Sequence, residues 1–378
     1  MKVLGGLSAQ SFLSQYWQKA PLLVRSALPD PSDLIGGDDL AGLATEEAVE
    51  SRLVTANDWR LRHGPFFEDD FANLPERDWT LLVQAVDHWV PEIAALFDHF
   101  RFIPTWRFDD IMLSYSVPGG GVGPHFDQYD VFLIQLSGQR EWRIGQTCTE
   151  ADDCRDDTEL NILAQFDEQE RWVLEPGDML YVPPGVAHWG TAISEGITCS
   201  IGFRAPSRAE IWSEFAHFMA ERDVEFERYA DPDLNARTDP NAITSADLDR
   251  VQARLREMIE DRDALSLWFG RYMTEPKYSD IASDEPDFSD ADIQQQLQVQ
   301  PLMRNRAARL AYVPGWLFVQ GQAVATELNE KQLQWLCNQQ ELTADSLSDG
   351  LDGVPFSLLS ELVRKDVFYF EDGEESWV

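Results

Sequence analysis

Cysteine and positive charge are scarce in this chain. Among its 378 residues there are only four cysteines, Cys148, Cys154, Cys199 and Cys337. They are scattered and show no Cys-x-x-Cys spacing, so a reduced protein without a disulfide framework is expected. Lysine and arginine total 30 against 67 aspartates and glutamates, which leaves a net charge of −37. Neutralising phosphates takes clustered Lys and Arg, so direct binding to DNA or RNA is not expected. No apolar run reaches the ~18 residues of a membrane span. The first residues, Met1 to Leu13, lack the apolar core and cleavage site of a signal peptide, and a cytoplasmic location is the expectation. Internal repeats and low-complexity tracts are absent as well.

The acids run through the whole chain, in Glu68 to Asp70, Glu150 to Asp153, Asp284 to Asp287 and Glu371 to Glu375. That spread favours a general solubility or salt effect, with steering of a basic partner as a secondary gain. Aromatics are plentiful, with 13 Trp and 21 Phe, and the length allows two or three domains around a sizeable core.

Histidine is rare too, with six in the chain. Two of them stand out. His125 and Asp127 lie in the run Gly119 to Asp130, and His188 follows Pro183-Pro184-Gly185. Two imidazoles and one carboxylate with open positions form the facial triad of non-heme Fe(II) oxygenases. An isolated His-x-Asp carries little information, and His63, His88, His99 and His217 occupy helical or loop contexts. The flanks of the pair are what give it weight.

Those flanks read as barrel strands. Asp110 to Pro118 is rich in strand formers, and Gly119 to Pro124 turns sharply. Asp130 to Ser137 is a strongly apolar strand, Gly138-Gln139 is a turn, and Arg140 to Ile144 is the returning strand of a hairpin. Arg171 to Asp178 leads into Met179 to His188, where the two prolines and Gly185 force a loop that delivers His188. Gly196 to Arg204 supplies a last strand. Short strands at this spacing predict a jelly-roll or cupin-like barrel, the double-stranded β-helix.

The runs Ser114 to Gln135, Trp142-Arg143, Pro183 to His188 and Ser200 to Pro206 resemble the JmjC-type 2-oxoglutarate oxygenases. Over essentially its full length the chain resembles the bacterial ribosomal oxygenases, which are arginine hydroxylases. The resemblance implies an α+β protein with a JmjC barrel, a helical dimerisation region, hence a homodimer, and a C-terminal winged-helix-like domain. It also implies Fe(II) held by His125, Asp127 and His188, with 2-oxoglutarate and O₂ as co-substrates. The implied substrate is an arginine of a large-subunit ribosomal protein, hydroxylated at its β-carbon.

2-Oxoglutarate chelates iron through its keto and C1 carboxylate oxygens, and its far carboxylate needs a fixed cation in a mostly apolar pocket. Arg140 starts the strand after the one following Asp127, at the position where the family places a basic residue. Otherwise it is an exposed hairpin residue paired with Glu141. Ser114 and Ser116 share one face of the preceding strand, and either hydroxyl is a candidate partner for the same carboxylate. Asp109, Asp110 and Asp130 flank the metal strands. Two readings stand for each, a partner for a substrate guanidinium or a strand-end acid in solvent.

Before Pro104 the pattern reads as mainly helical, for example from Asp78 to Trp89, and buttresses the barrel. After Pro206 the periodicity becomes helical. Ser207 with Glu210 forms a capping box, and Ile211, Phe215, Phe218 and Met219 make a stripe. A second helix follows Thr244 with Leu248, Val251, Leu255, Met258 and Ile259 on one face, and a third runs from about Asp263 to Met273. Glu275 to Asp290 reads as a linker. Beyond it come strands within Ala307 to Gln322, helices over Asn329–Gln339 and Ser357–Lys365, and a strand at Val367 to Glu371. The expected domains are 1–206 (oxygenase with its N-terminal buttress), 207–290 (helical dimerisation region and linker) and 291–378 (winged-helix-like). Two other functional classes remain open: a JmjC-type oxygenase or demethylase acting on another protein, and a non-catalytic cupin-like binding barrel.

Overall fold

The computed structural model describes residues 3–222, 228–236, 238–278, 288–350 and 354–370. The chain divides into two compact units, Met1–Ala205 and Pro206–Val378.

Eleven strands build the first unit: β1 (Leu22–Val24), β2 (Ser51–Thr55), β3 (Arg60–His63), β4 (Trp79–Val83), β5 (Phe108–Ser116), β6 (Asp130–Ser137), β7 (Arg140–Thr147), β8 (Glu170–Leu174), β9 (Met179–Val182), β10 (Val186–Ala192) and β11 (Gly196–Phe203). They form a large sheet in the order β1-β9-β6-β11-β5-β4-β2-β3 and a small one in the order β10-β7-β8, with antiparallel pairing throughout. Short helices α1 (Ala9–Gln15), α2 (Gly37–Leu43), α3 (Glu68–Ala72) and α4 (Pro91–Ala94) accompany them.

Strand alternation explains why the two sheets close on one another. From β5 and β11 the residues Ile111, Leu113, Ile197, Cys199 and Ile201 join Phe12, Phe100 and Phe132 in one core, on the outer side of the large sheet. From β6 and β9 the alternate residues Val131, Leu133, Leu180 and Val182 meet Trp142, Ile144 and Leu174 in a second core between the sheets. β6 is therefore buried on both faces, as its apolar stretch Val131–Ile134 requires. On β5 the inward positions are Asp110, Met112, Ser114 and Ser116, so the large sheet lines the barrel interior with a largely polar strand beside the apolar β6 and β9.

Within the helix expected from Asp78 to Trp89, Trp79–Val83 is instead strand β4, and only Val86–His88 makes a helical turn. All five residues of β4 are buried, and it pairs with both β2 and β5. Trp79, Leu81 and Val83 point into the outer core, and the Thr80 hydroxyl lies 2.9 Å from that of Ser116. A short apolar run is helix or strand according to what it packs on, and here a free sheet edge decides it. With β1 to β4 in place, the segment before Pro104 is a mixed extension of the barrel sheet, and His63 ends a strand. Asp130 is also corrected, because it is fully buried and accepts from the hydroxyl of Tyr181 at 2.6 Å, from Gln18 Nε2 at 3.0 Å and from Arg107 at 3.2 Å. It ties β6 to β9 and to the N-terminal segment. Asp109 is ion-paired with Arg204 at 3.3 Å, so it is not a free strand-end acid either.

The second unit begins with α5 (Arg208–Arg222), α6 (Ser245–Glu260) and α7 (Arg262–Met273). Ser207 and Glu210 exchange capping hydrogen bonds at the start of α5. α8 (Asp290–Gln296), α9 (Glu330–Asn338), α10 (Ala344–Gly350) and α11 (Phe356–Arg364) follow, with two three-stranded sheets. One sheet joins β13 (Leu310–Val313), β14 (Trp316–Val319) and β15 (Gln322–Ala325); the other joins β12 (Leu302–Arg304), β16 (Glu341–Leu342) and β17 (Phe368–Phe370). α7 lies on β13 to β15, and Gly270 permits it, since a Cβ there would stand 2.3 Å from the Phe318 ring. Most of the expected linker lies outside the described residues.

Candidate metal centre and co-substrate pocket

The strands bring His125, Asp127 and His188 together. One ligand atom from each lies within 4.8 Å of the others, and they are the only such cluster of three or more potential metal ligands among the described residues. The backbone does the positioning. His125 N–H donates to the His188 carbonyl at 3.0 Å, and His188 N–H returns a bond of 2.8 Å, so the two histidines face each other across an isolated bridge. Gly185 N–H donates to the Asp127 carbonyl at 2.7 Å, which fastens the Pro183 to Gly185 loop to the His-x-Asp segment. Gly185 has φ +77°, a conformation few other residues adopt, so the turn that returns the chain into β10 depends on it.

Side-chain orientation follows the same logic. Nδ1 of His125 is 3.0 Å from the Gly123 carbonyl, and Nδ1 of His188 is 3.0 Å from the Val186 carbonyl. A carbonyl can only accept, so each ring carries its proton on Nδ1 and presents Nε2 as a ligand. Nε2 of His188 stands 3.6 Å from an Asp127 oxygen. Burial, aided by the fields of His125 and Arg140 and opposed by that of Asp127, lowers the His188 pKa to about 4. The ring is neutral at pH 7, the form that coordinates a metal. Two imidazoles and one carboxylate on one side suit a divalent cation with its remaining positions open.

Arg140 is buried at 4% exposure on the inner face of β7. One terminal nitrogen donates to Ser114 Oγ and to Ser116 Oγ at 3.2 Å each and to Thr198 Oγ1 at 3.4 Å, and the other donates to the Gly190 carbonyl at 3.4 Å. Its Nε is buried without a partner. No carboxylate among the described residues pairs with it, and desolvation alone lowers its pKa to about 10, so the buried group stays cationic at neutral pH. A buried guanidinium with long bonds, an idle donor and no counter-ion fits the recognition of an anion. It is not the exposed partner of Glu141 that the alternative reading describes.

Both candidate serines meet Arg140 at the same distance, so the geometry does not separate them. Sequence reasoning missed Thr198, which also donates to Gln135 Oε1 at 2.9 Å. Its signal was available, because on β11 Ile197 and Cys199 face the outer core and Thr198 therefore faces inward. Tyr129 was missed as well. Partial desolvation and the fields of Asp127 and Asp110 raise its pKa. Asp110 itself is buried inside the barrel and accepts from Gln84 Nε2 at 2.7 Å.

Residues 95–211 match a JmjC domain, and residues 257–369 match a ROXA-like winged helix. The chain is 37% identical to the ribosomal protein uL16 3-hydroxylase of Escherichia coli K12, over 97% of this chain and 98% of that protein. An X-ray structure of E. coli ycfD superposes with a TM-score of 0.89 at 36% identity, covering 97% of this chain and 99% of that one. The E. coli ribosomal oxygenase YcfD in complex with cobalt and 2-oxoglutarate gives a TM-score of 0.86 at 36% identity, with the same coverage. Full-length similarity of this degree, on a barrel that assembles a His-Asp-His cluster beside a buried arginine, means that the chain belongs to the JmjC-domain ribosomal oxygenases.

Proposed function

We propose that this protein is an Fe(II)- and 2-oxoglutarate-dependent oxygenase that hydroxylates an arginine side chain, at its β-carbon, in a large-subunit ribosomal protein. The observation that carries the oxygenase reading is the His125, Asp127 and His188 cluster on the same barrel interior as the unpaired Arg140 guanidinium. When bound, iron with the keto acid and O₂ supplies the oxidation of an unactivated C–H bond. The protein supplies the rest. His125, Asp127 and His188 hold the metal from one side. Arg140, backed by Ser114, Ser116 and Thr198, orients the far carboxylate of 2-oxoglutarate. The apolar wall from β6 and β9 excludes water.

The substrate reading rests on two supports. The E. coli relative is named for hydroxylation of ribosomal protein uL16. Asp110, an inward carboxylate on the strand that carries Ser114 and Ser116, shares the neighbourhood of Gly202 with Tyr129 and is a candidate counter-ion for a cationic side chain. The acidic surface favours encounter with a basic, RNA-binding protein. The test is mass spectrometry of a peptide from that ribosomal protein after incubation with enzyme, Fe(II), 2-oxoglutarate and O₂. A gain of one oxygen (~16 Da) on arginine, coupled to succinate and dependent on 2-oxoglutarate, is the expected result. Iron-dependent succinate release without a mass gain rejects the substrate and keeps the oxygenase; neither signal rejects both.

The chain also forms a homodimer on this reading, with 207–290 as the pairing region between an oxygenase domain at 1–206 and a winged-helix-like domain at 291–378. α6 supports this, since Leu248, Val251, Leu255, Met258 and Ile259 are all exposed along it. A contiguous apolar stripe of this kind marks an interface. Leu255→Asp is expected to convert a dimer into monomers in sedimentation velocity, and a wild-type monomer at micromolar concentration would refute the assignment. No helix among the described residues is long and apolar enough to cross a membrane.

A further inference from the structure

Among the described residues, two buried side-chain polar atoms have no hydrogen-bond partner, Arg140 Nε and Trp142 Nε1. They belong to alternate residues of β7 and so share its inward face. We propose that the Trp142 indole N–H is a second, neutral hydrogen-bond donor to the far carboxylate of bound 2-oxoglutarate, the carboxylate that Arg140 holds by charge. The inference deepens the co-substrate reading above and rests on it.

Register places the donor. Across the β7–β10 ladder, His188 opposes Ile144, Gly190 opposes Trp142 and Ala192 opposes Arg140. Trp142 therefore sits between the level of the metal ligand and the level of Arg140, about two residues, or ~7 Å, from each. Its ring centroid is 5.8 Å from that of His188, and the Arg140 guanidinium carbon lies 5.0 Å from the ring centroid. A dicarboxylate reaching from the metal to Arg140 has to run along this indole. The benzo edge of the ring is turned to Gly190, where a Cβ would stand 2.7 Å from Cη2 and 2.6 Å from Arg140 Nε. The pyrrole edge with Nε1 is the edge farther from the β10 backbone. Trp142 is 4% exposed, and a donor so buried is costly when left unbonded. Packing alone does not call for it, because phenylalanine would fill an apolar wall without the N–H. An indole donates and cannot accept, which suits a carboxylate and excludes a bound cation as its partner.

The test is calorimetric binding to the full-length protein loaded with Mn(II) under nitrogen, with three ligands and two variants. Trp142→Phe keeps the ring and removes the N–H. It is expected to weaken 2-oxoglutarate and succinate, which both carry the far carboxylate, by about tenfold. Oxalate, which chelates metal without a far carboxylate, should bind within twofold of wild type. Arg140→Met should weaken the same two ligands more. Equal loss for oxalate would make Trp142 a wall of the metal site, and unchanged 2-oxoglutarate affinity would leave its N–H idle; either overturns the inference. Wild-type protein that binds oxalate but not 2-oxoglutarate would refute the co-substrate reading instead. A second measurement covers a variant that folds poorly. In wild-type protein with ¹⁵N-labelled tryptophan, the indole cross-peak assigned to Trp142 should shift on adding succinate and hold still on adding oxalate. The reverse pattern overturns the proposal.

Discussion

Asp127→Ala is expected to abolish turnover and leave the fold intact. Asp127 is the only anionic member of the cluster, and its oxygen lies 3.6 Å from Nε2 of His188. Without it, two imidazoles face a divalent cation with no carboxylate to compensate its charge. Losing even an outer partner of a metal ligand costs 10–100-fold in affinity or activity as a rule, so loss of a ligand should exceed about 100-fold in metal affinity and bring succinate formation to background. The fold should survive because the positioning bonds are backbone bonds: Gly185 N–H to the Asp127 carbonyl, and the reciprocal pair between His125 and His188. His125→Ala and His188→Ala should act in the same way. Calorimetric metal binding, thermal melting in the presence of chelator and a succinate assay check the three together. A variant that hydroxylates at the wild-type rate would show that the cluster is not the metal site.

Arg140→Met should produce opposite effects on the two things measured. In the enzyme, the KM for 2-oxoglutarate is expected to rise by about 30-fold or more, since removing one member of a desolvated charge pair costs ~2–5 kcal/mol. In the protein without co-substrate, Tm should rise. Arg140 is buried without an anionic partner among the described residues, desolvation lowers its pKa to about 10, and its longest donor bonds reach 3.4 Å. A methionine of similar reach removes the stranded charge and keeps the packing. Ser114→Ala and Ser116→Ala should each raise the KM by less, because each removes a single neutral hydroxyl. If Arg140 were a structural residue, the Tm would fall and the KM would stay put; that combination would end the co-substrate assignment. The stability gain is the sharper of the two readouts, since it separates a residue kept for binding from one kept for folding.

The His125, Asp127 and His188 cluster was legible because its chemistry is carried by rare residues in motifs that also determine local backbone. A His-x-Asp after a glycine-rich loop and a histidine after Pro183-Pro184-Gly185 name both the ligands and the turns that present them. Arg140 was legible as a candidate at the start of a hairpin strand. Its depth was not, because burial depends on which sheet lies opposite. The same limit explains the errors. For Asp130 two readings stood, a guanidinium partner or a strand-end acid in solvent, yet it is buried and bonded by Tyr181, Gln18 and Arg107, residues far from it in sequence. The segment Trp79–Val83 looked helical because its apolar residues allow either period, and pairing with β2 and β5 chose the strand.

By itself the sequence determined the barrel strands around the site, the three candidate ligands, the candidate arginine for an anion and the helical character of the region after Pro206, since each depends on periodicity, turn chemistry or a short motif. Tertiary structure alone decided which polar residues face one another across the interior: Thr198 beside Arg140, Tyr129 beside Asp127, and Trp142 with its unbonded N–H between the metal ligand and the guanidinium. The physical reason is that a strand's own alternation assigns each side chain to a face, whereas only the register between strands, set by the packing of both cores, determines its neighbours across the barrel.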